Sequence, residues 1–248
     1  MVLLTKSLTS IEEKIMGIIR FNDEEVFGTD SQEYEILWNA ALELKNETPG
    51  AVVEIGTRRG GSAKMIIDAL HSKGNSDRPM FCIDPYGNIE IDCTNLNMTI
   101  HNPDRKIEGD PASKELTSPQ RFDYDNNMRN RIIPSLYFYA YQRGLNFNFF
   151  CLEDTEFFKR YHDGVPVYQE YKTLVNEYAF VFFDGPHDNK CLDLETEFFV
   201  KRAPVGAVFV FDDIWMYDHD KIVEEKLFAH GFETHEKKQI KASYIKVK

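Results

Sequence analysis

The sequence predicts an α/β fold: a doubly wound, mostly parallel seven-stranded sheet with an antiparallel C-terminal strand. Residues 179–183 (Ala-Phe-Val-Phe-Phe) and 207–211 (Ala-Val-Phe-Val-Phe) are aromatic and β-branched with no alternating polar position, the pattern of strands covered on both faces. Between them, residues 191–201 carry Leu192, Leu194, Phe198 and Phe199 at helical spacing, so the unit reads strand, helix, strand. Both apolar runs close on acids, the first on Asp184-Gly185-Pro186-His187 and the second on Asp212-Asp213. Ligands of open parallel sheets collect beyond the carboxyl ends of the strands. Asp184, His187, Asp212 and Asp213 are therefore expected in one crevice.

The remaining elements follow in order. Residues 11–20, with Ser10 as N-cap, form an amphipathic helix with Ile11, Ile15, Ile18 and Ile19 on one face. Residues 33–45 form a second, carrying Ile36, Leu37, Ala40, Ala41 and Leu44 and stopped by Thr48-Pro49-Gly50. Together they make an N-terminal helical extension over residues 1–50, ahead of a main domain over 51–248, and offer a surface through which copies of the chain could associate. Residues 51–55 are the first buried strand. It runs into Gly56-Thr57-Arg58-Arg59-Gly60-Gly61-Ser62 and a helix to about Leu70. Such a turn lets a ligand approach the backbone and presents helix N-terminal amides to it. Glu54, an acid in an otherwise apolar strand, requires a partner. Arg58 stands where the dinucleotide fingerprint counted from Gly56 needs glycine, which argues against a nicotinamide-dependent dehydrogenase.

The second strand, residues 80–83, ends in Asp84, placed like the acid that bonds a ribose hydroxyl in nucleotide-binding α/β units. Residues 86–122 are polar and punctuated by Pro103, Pro111 and Pro119, and read as a lid-like insertion over the site. Residues 124–143 look helical with an interruption at Pro134, and 147–151 are a third strand followed by Glu153, Asp154 and a short helix. A segment over 162–177 bridges to the central unit. After Asp213 come an aromatic loop over 214–217, a helix over 221–230, and a closing hairpin of 232–237 with 242–247.

With 248 residues and 42% hydrophobic content the chain can bury one large core. Its net charge of −12 argues against nucleic acid as a partner and for a small-molecule substrate. Cys82, Cys93, Cys151 and Cys191 show no metal-ligand spacing and read as buried thiols of a reducing compartment. No apolar stretch approaches the roughly 20 residues needed to span a bilayer. A cytoplasmic protein with no membrane partner is expected.

Taken in order, these sites resemble the class I S-adenosylmethionine-dependent methyltransferases, with their Rossmann-like fold, across roughly residues 51–247. The resemblance is sharpest to the metal-dependent O-methyltransferases. Residues 54–62 are similar to the catechol O-methyltransferase pattern Glu-x-Gly-x-x-x-Gly-x-Ser, and Ile83-Asp84-Pro85-Tyr86-Gly87 before a long loop is similar to the macrocin-type sugar O-methyltransferases. The resemblance implies that Glu54, Gly56, Thr57, Arg58, Gly60 and Ser62 bind S-adenosylmethionine, with Asp84 on its ribose, Glu153 and Asp154 on the adenine side, and Asp184 at the same site. It implies Asp184, Asp212 and Asp213 as ligands of Mg²⁺ or another divalent cation. His187 falls where the catechol enzyme carries its basic lysine, which makes it the candidate base. One departure is Pro186, where the sugar enzymes tend to carry a second aspartate.

The chemistry so implied is transfer of a methyl group to a hydroxyl of a sugar or phenol-like small molecule. The site must align the hydroxyl and ionise it, with Mg²⁺ lowering its pKa and His187 removing its proton. The alternative is a regulatory or structural protein that binds the same cofactor or a nucleotide without transferring methyl.

Overall fold

A computed structural model describes residues 26–29, 31–86 and 126–248. The expected helix over 11–20, Cys93 and nearly all of the expected lid lie outside the described residues. Helix α1 (Tyr34–Glu43) leads to strand β1 (Ala51–Ile55), α2 (Gly61–Ser72), β2 (Pro79–Ile83), α3 (Asn126–Tyr141), β3 (Asn146–Phe150) and α4 (Asp154–Arg160). A hairpin of β4 (Val165–Tyr168) and β5 (Lys172–Val175) precedes β6 (Tyr178–Phe183), α5 (Asn189–Val200) and β7 (Val208–Phe211). A π-helical turn (Asp220–Glu224), α6 (Glu225–Ala229), β8 (Phe232–Lys237) and β9 (Ala242–Lys246) complete the fold.

The main sheet has the order β3-β2-β1-β6-β7-β9-β8, with only β9 reversed against its neighbours. This is the expected seven-stranded architecture. The order turns back between β1 and β6, and adjacent crossovers leaving that point in opposite directions open a crevice at the strand ends. Alternating side chains send Val53, Ile55, Val181, Phe183 and Phe209 to one face against α4 and α5, and Val52, Phe180, Phe182 and Val210 to the other against α1, α2 and α3. Phe183 and Phe211, paired in register on neighbouring strands, stack with ring centroids 4.2 Å apart.

The structure departs from the sequence expectations in identifiable places. Helix α3 continues through Pro134, so the expected interruption does not occur. Residues 162–177 form the separate β4–β5 hairpin, whose outer strand is largely exposed and so carried no burial pattern to read. Of the described cysteines only Cys82 is buried. Cys151 is exposed because it follows the last residue of β3, and Cys191 is half-buried. Helix α1 buries Ile36, Leu37, Ala40 and Ala41 against the chain's own sheet and α2, which uses up its apolar face internally. No helix among the described residues is long and apolar enough to cross a membrane.

His219 shows how β9 is locked to the segment after β7. Its ring is buried, with Nε2 2.7 Å from the Tyr244 hydroxyl and Nδ1 3.3 Å from that of Tyr217. Burial pulls its pKa from 6.5 down to about 3. Below pH 6.5 the unfolded chain takes up a proton that the folded chain refuses until about pH 3. The stabilisation is complete above pH 6.5 and falls by about 1.4 kcal/mol per pH unit through that window. Replacing His219 by Gln should flatten the acid side of a stability-versus-pH curve by about one proton, measured as urea midpoints from pH 7 to 4. An unchanged slope would show that the ring charges in the folded protein.

Candidate active site

The carboxyl ends of β1, β2, β6 and β7 converge as expected. Gly56, at φ +83°, lies so close to the next strand that a Cβ there would sit 1.8 Å from the Asp184 carbonyl oxygen. Only glycine permits this approach. The turn after β1 and the acid loop after β6 are therefore in direct contact.

Glu54 lies beneath the turn and is fully buried. Its Oε2 accepts the Cys82 thiol at 3.3 Å, and Oε1 has no hydrogen-bond partner. Burial pushes its pKa up to about 7. Thr57 Oγ1 is also buried without a partner. Gly60 is left-handed (φ +78°) and opens α2. Asp84 Oδ2 accepts the Arg58 N–H at 2.8 Å and Oδ1 the Tyr86 N–H at 3.3 Å, so the acid pins the turn after β1 to the end of β2. Burial raises Asp84 to about 6 in spite of those amides. Each carboxylate oxygen retains a lone pair for a further donor. A buried acid with one unpartnered oxygen under a glycine cradle, flanked by a second acid, fits an amino-acid-bearing nucleoside such as S-adenosylmethionine.

Glu153 and Asp154 separate. Glu153 is exposed at the start of α4, while Asp154 turns inward towards Glu195 of α5 and leaves its Oδ2 unpartnered. Glu195 is fully buried with neither oxygen hydrogen-bonded, and burial together with the Asp154 charge and contact pushes its carboxyl well above the usual range. Its position three residues after Leu192 and four before Phe199 marks it as an acid on an apolar helical face, a signal present in the sequence.

His187 lies between two acids, with Nε2 3.6 Å from Asp184 Oδ1 and Nδ1 3.4 Å from Asp213 Oδ2. Burial disfavours the charged ring. Pairing with Asp184 and the charge of Asp213 outweigh it, and hold the imidazole pKa at about 9. Burial and the charge of Asp212 push Asp184 up to about 8 in turn. Both shifts favour the protonated forms, so the pair can accept a proton only after it has released one, on the alkaline side of neutrality. Asp213, at a left-handed φ of 46°, is raised to about 6 by burial against the pull of His187, and its Oδ1 accepts the Trp215 indole N–H at 3.2 Å.

Asp212 has a different partner, which sequence reasoning missed. One residue past the end of β7, it continues the face of Val208 and Val210 towards α1. Its Oδ1 accepts from Lys241 Nζ at 2.7 Å, from Ser31 Oγ at 3.0 Å and from the Asp213 N–H at 2.7 Å. Both members of the ion pair are fully buried. Removing one partner of such a pair costs on the order of 3–5 kcal/mol. Lys241 also donates to Ser31 Oγ at 2.6 Å and lies 4.5 Å from the centroid of the Tyr34 ring. The backbone around it is fixed by Glu33, whose carboxylate accepts the N–H groups of Gln239, Ile240 and Lys241 at 3.2, 2.8 and 2.9 Å. Tyr34 is pushed upward by burial and by the charges of Asp184 and Asp212, so its hydroxyl stays a neutral donor beside the acids.

The three expected metal ligands thus do not form an open set: Asp184 and Asp213 face His187, and Asp212 Oδ1 is saturated, with only Oδ2 unpartnered. Among the described residues no group of three or more His, Cys, Asp or Glu side chains is arranged to hold a metal ion.

Comparison with known proteins agrees with the architecture. No curated protein matches the chain in sequence. Among solved structures, the O-methyltransferase NovP superposes with a TM-score of 0.52 at 17% identity, over 86% of this chain and 79% of that one. An O-methyltransferase from Bacillus cereus, solved in complex with SAH, gives 0.48 at 9% identity over 94% and 90%. The TDP-rhamnose 3'-O-methyltransferase CalS11, an enzyme in calicheamicin biosynthesis, gives 0.47 at 11% over 85% and 76%. A methyltransferase-domain family model matches residues 53–214, from within β1 to the loop after β7. The span takes in the glycine turn and the acids at the strand ends, Asp84, Asp184, Asp212 and Asp213, and the chain belongs to this methyltransferase family.

Proposed function

We propose that this chain transfers a methyl group from S-adenosylmethionine to a hydroxyl of a small molecule, sugar or phenol-like, and that the Asp184–His187 pair takes the hydroxyl proton. The observation that carries the reading is the contact of Gly56 with Asp184, which sets a proton-accepting pair directly against the turn that would hold the cofactor. The name O-methyltransferase borne by NovP, the neighbour with a TM-score of 0.52, supports oxygen as the accepting atom.

When bound, S-adenosylmethionine supplies a sulfonium methyl open to in-line displacement. Gly56 and Gly60 would let it approach the backbone, Glu54 Oε1 and the Thr57 and Ser62 hydroxyls would meet its polar groups, and Asp84 its ribose hydroxyls. Glu153 remains the exposed acid on the adenine side. Asp154, facing Glu195, supports that edge from within. At the other end His187 and Asp184 accept the acceptor's proton as the new bond to oxygen forms, and Asp213 fixes the far side of the imidazole. Proton removal is assigned to these residues and not to a bound Mg²⁺, because His187 stands between Asp184 and Asp213 and because Lys241 and Ser31 occupy Asp212 Oδ1, which leaves Asp212 only its Oδ2.

Two variants test this. Asp84→Ala should lose most of the affinity for S-adenosylhomocysteine in calorimetry while the protein remains folded by circular dichroism; undiminished binding would remove the ribose assignment. His187→Ala should keep cofactor affinity yet lose roughly a hundredfold in turnover against a panel of sugar and phenolic acceptors. Wild-type turnover in that variant would transfer the proton to another group.

A further inference from the structure

We propose that the Lys241 ammonium occupies the electrostatic position of a divalent cation in this site, so that the methyl transfer proposed above, on which this inference rests, proceeds without one. Asp212 and Lys241 face each other across the antiparallel β7–β9 pair: Val210 pairs with Ser243 and Phe211 with Ala242, and the next step brings 212 opposite 241. The resulting ion pair is buried at 2.7 Å with no exposed surface on either side chain. The ammonium is held on three sides, by Asp212, by Ser31 Oγ and by the Tyr34 ring, and Glu33 fixes its backbone through three successive amides. A Mg²⁺ ion needs near-octahedral oxygens at about 2.0–2.1 Å and keeps several waters. An ammonium within hydrogen-bonding distance of the same carboxylate fills part of that sphere and repels the ion.

The neighbouring contacts point the same way. Lys241 pairs with Asp212, and His187 stands between Asp184 and Asp213, so each of the three acids faces a side chain of the protein where a metal would otherwise be. Lys241 is therefore a positioning residue, which acts on the reacting pair through Asp212 and Asp184. One consequence concerns the acceptor. A metal centre selects substrates that offer two adjacent oxygens to chelate, whereas an ammonium committed to Asp212 and Ser31 has no coordination position to offer. A single hydroxyl should suffice.

The test is Mn²⁺ binding to chelator-dialysed full-length protein, read as free Mn²⁺ by electron paramagnetic resonance, with S-adenosylhomocysteine calorimetry run in parallel. Wild-type protein should leave Mn²⁺ free up to millimolar concentration and bind S-adenosylhomocysteine equally with and without chelator. Lys241→Met should gain a Mn²⁺ site at least about tenfold tighter than any in the wild type, about 1.4 kcal/mol, and Asp212→Asn on that background should abolish it. Stoichiometric Mn²⁺ binding by the wild type, lost in Asp212→Asn, would overturn the proposal. A folded Lys241→Met protein with no gain would overturn it too. Should that variant fail to fold, the wild-type titration decides alone. Absence of S-adenosylhomocysteine binding would count against the methyltransferase chemistry and leave the Mn²⁺ result standing.

Discussion

The contact between Gly56 and the Asp184 carbonyl is the constraint on which the site depends. It exists because β1 and β6 are parallel neighbours at the point where the strand order turns back, with Gly56 N–H donating to Ile83 and Asp184 N–H to Ile55. Two backbone segments are thereby pressed together without a side chain between them. The turn is tied sideways by Asp84 through the Arg58 amide, and the acid loop is tied to β7 through the Asp212 N–H on Phe183. Four strand ends form one rigid floor. This is how chemistry carried on loops acquires fixed distances.

Much of this was legible in the sequence because buried parallel strands leave an unmistakable mark. Residues 51–55, 179–183 and 207–211 have no polar alternation, and the acids that terminate them, Asp184 and Asp212, are where the apolar runs stop. His187 followed from its spacing to Asp184. What the sequence hid was pairing over long separations. Lys241 stands between Ile240 and Ala242, directly before a short terminal strand, and nothing local distinguishes it from a solvated lysine. Only the β7–β9 register brings it to Asp212. Ser31 and Glu33 were equally silent, since each works through partners more than 180 positions away. The separation of Glu153 from Asp154 belongs to the same class: adjacent residues at a helix start face opposite ways, and which one turns inward depends on Glu195 across the helix pair.

The acids also show how one site divides its electrostatic work. All carboxylates in the crevice suffer from burial, but they are relieved differently: Asp84 by backbone amides, Asp184 and Asp213 by an imidazole, and Asp212 by an ammonium, a hydroxyl and an amide. The amide-bound acid is held in place and keeps lone pairs for a ligand. The imidazole-bound acids flank the ring proposed to take up the proton. The ammonium-bound acid is fixed by three donors, and it raises the pKa of Asp184 and Asp213 beside it.

The placement of Lys241 has a consequence for how the chain assembles. Asp212 leaves the ribosome 29 residues before the lysine that neutralises it, and Ser31, which bonds to both, was made 181 residues before Asp212. If β7 were sealed under α1 before β9 docked, a carboxylate would be entombed without its counter-charge, which is too costly to persist. Burial of β7 on that face and insertion of the reversed strand between β7 and β8 must therefore occur together. The antiparallel strand acts as the closing step of folding, and contacts of such long sequence separation form slowly. Until that strand arrives, the nascent chain can build the half-sheet of β1, β2 and β3 but not a working crevice.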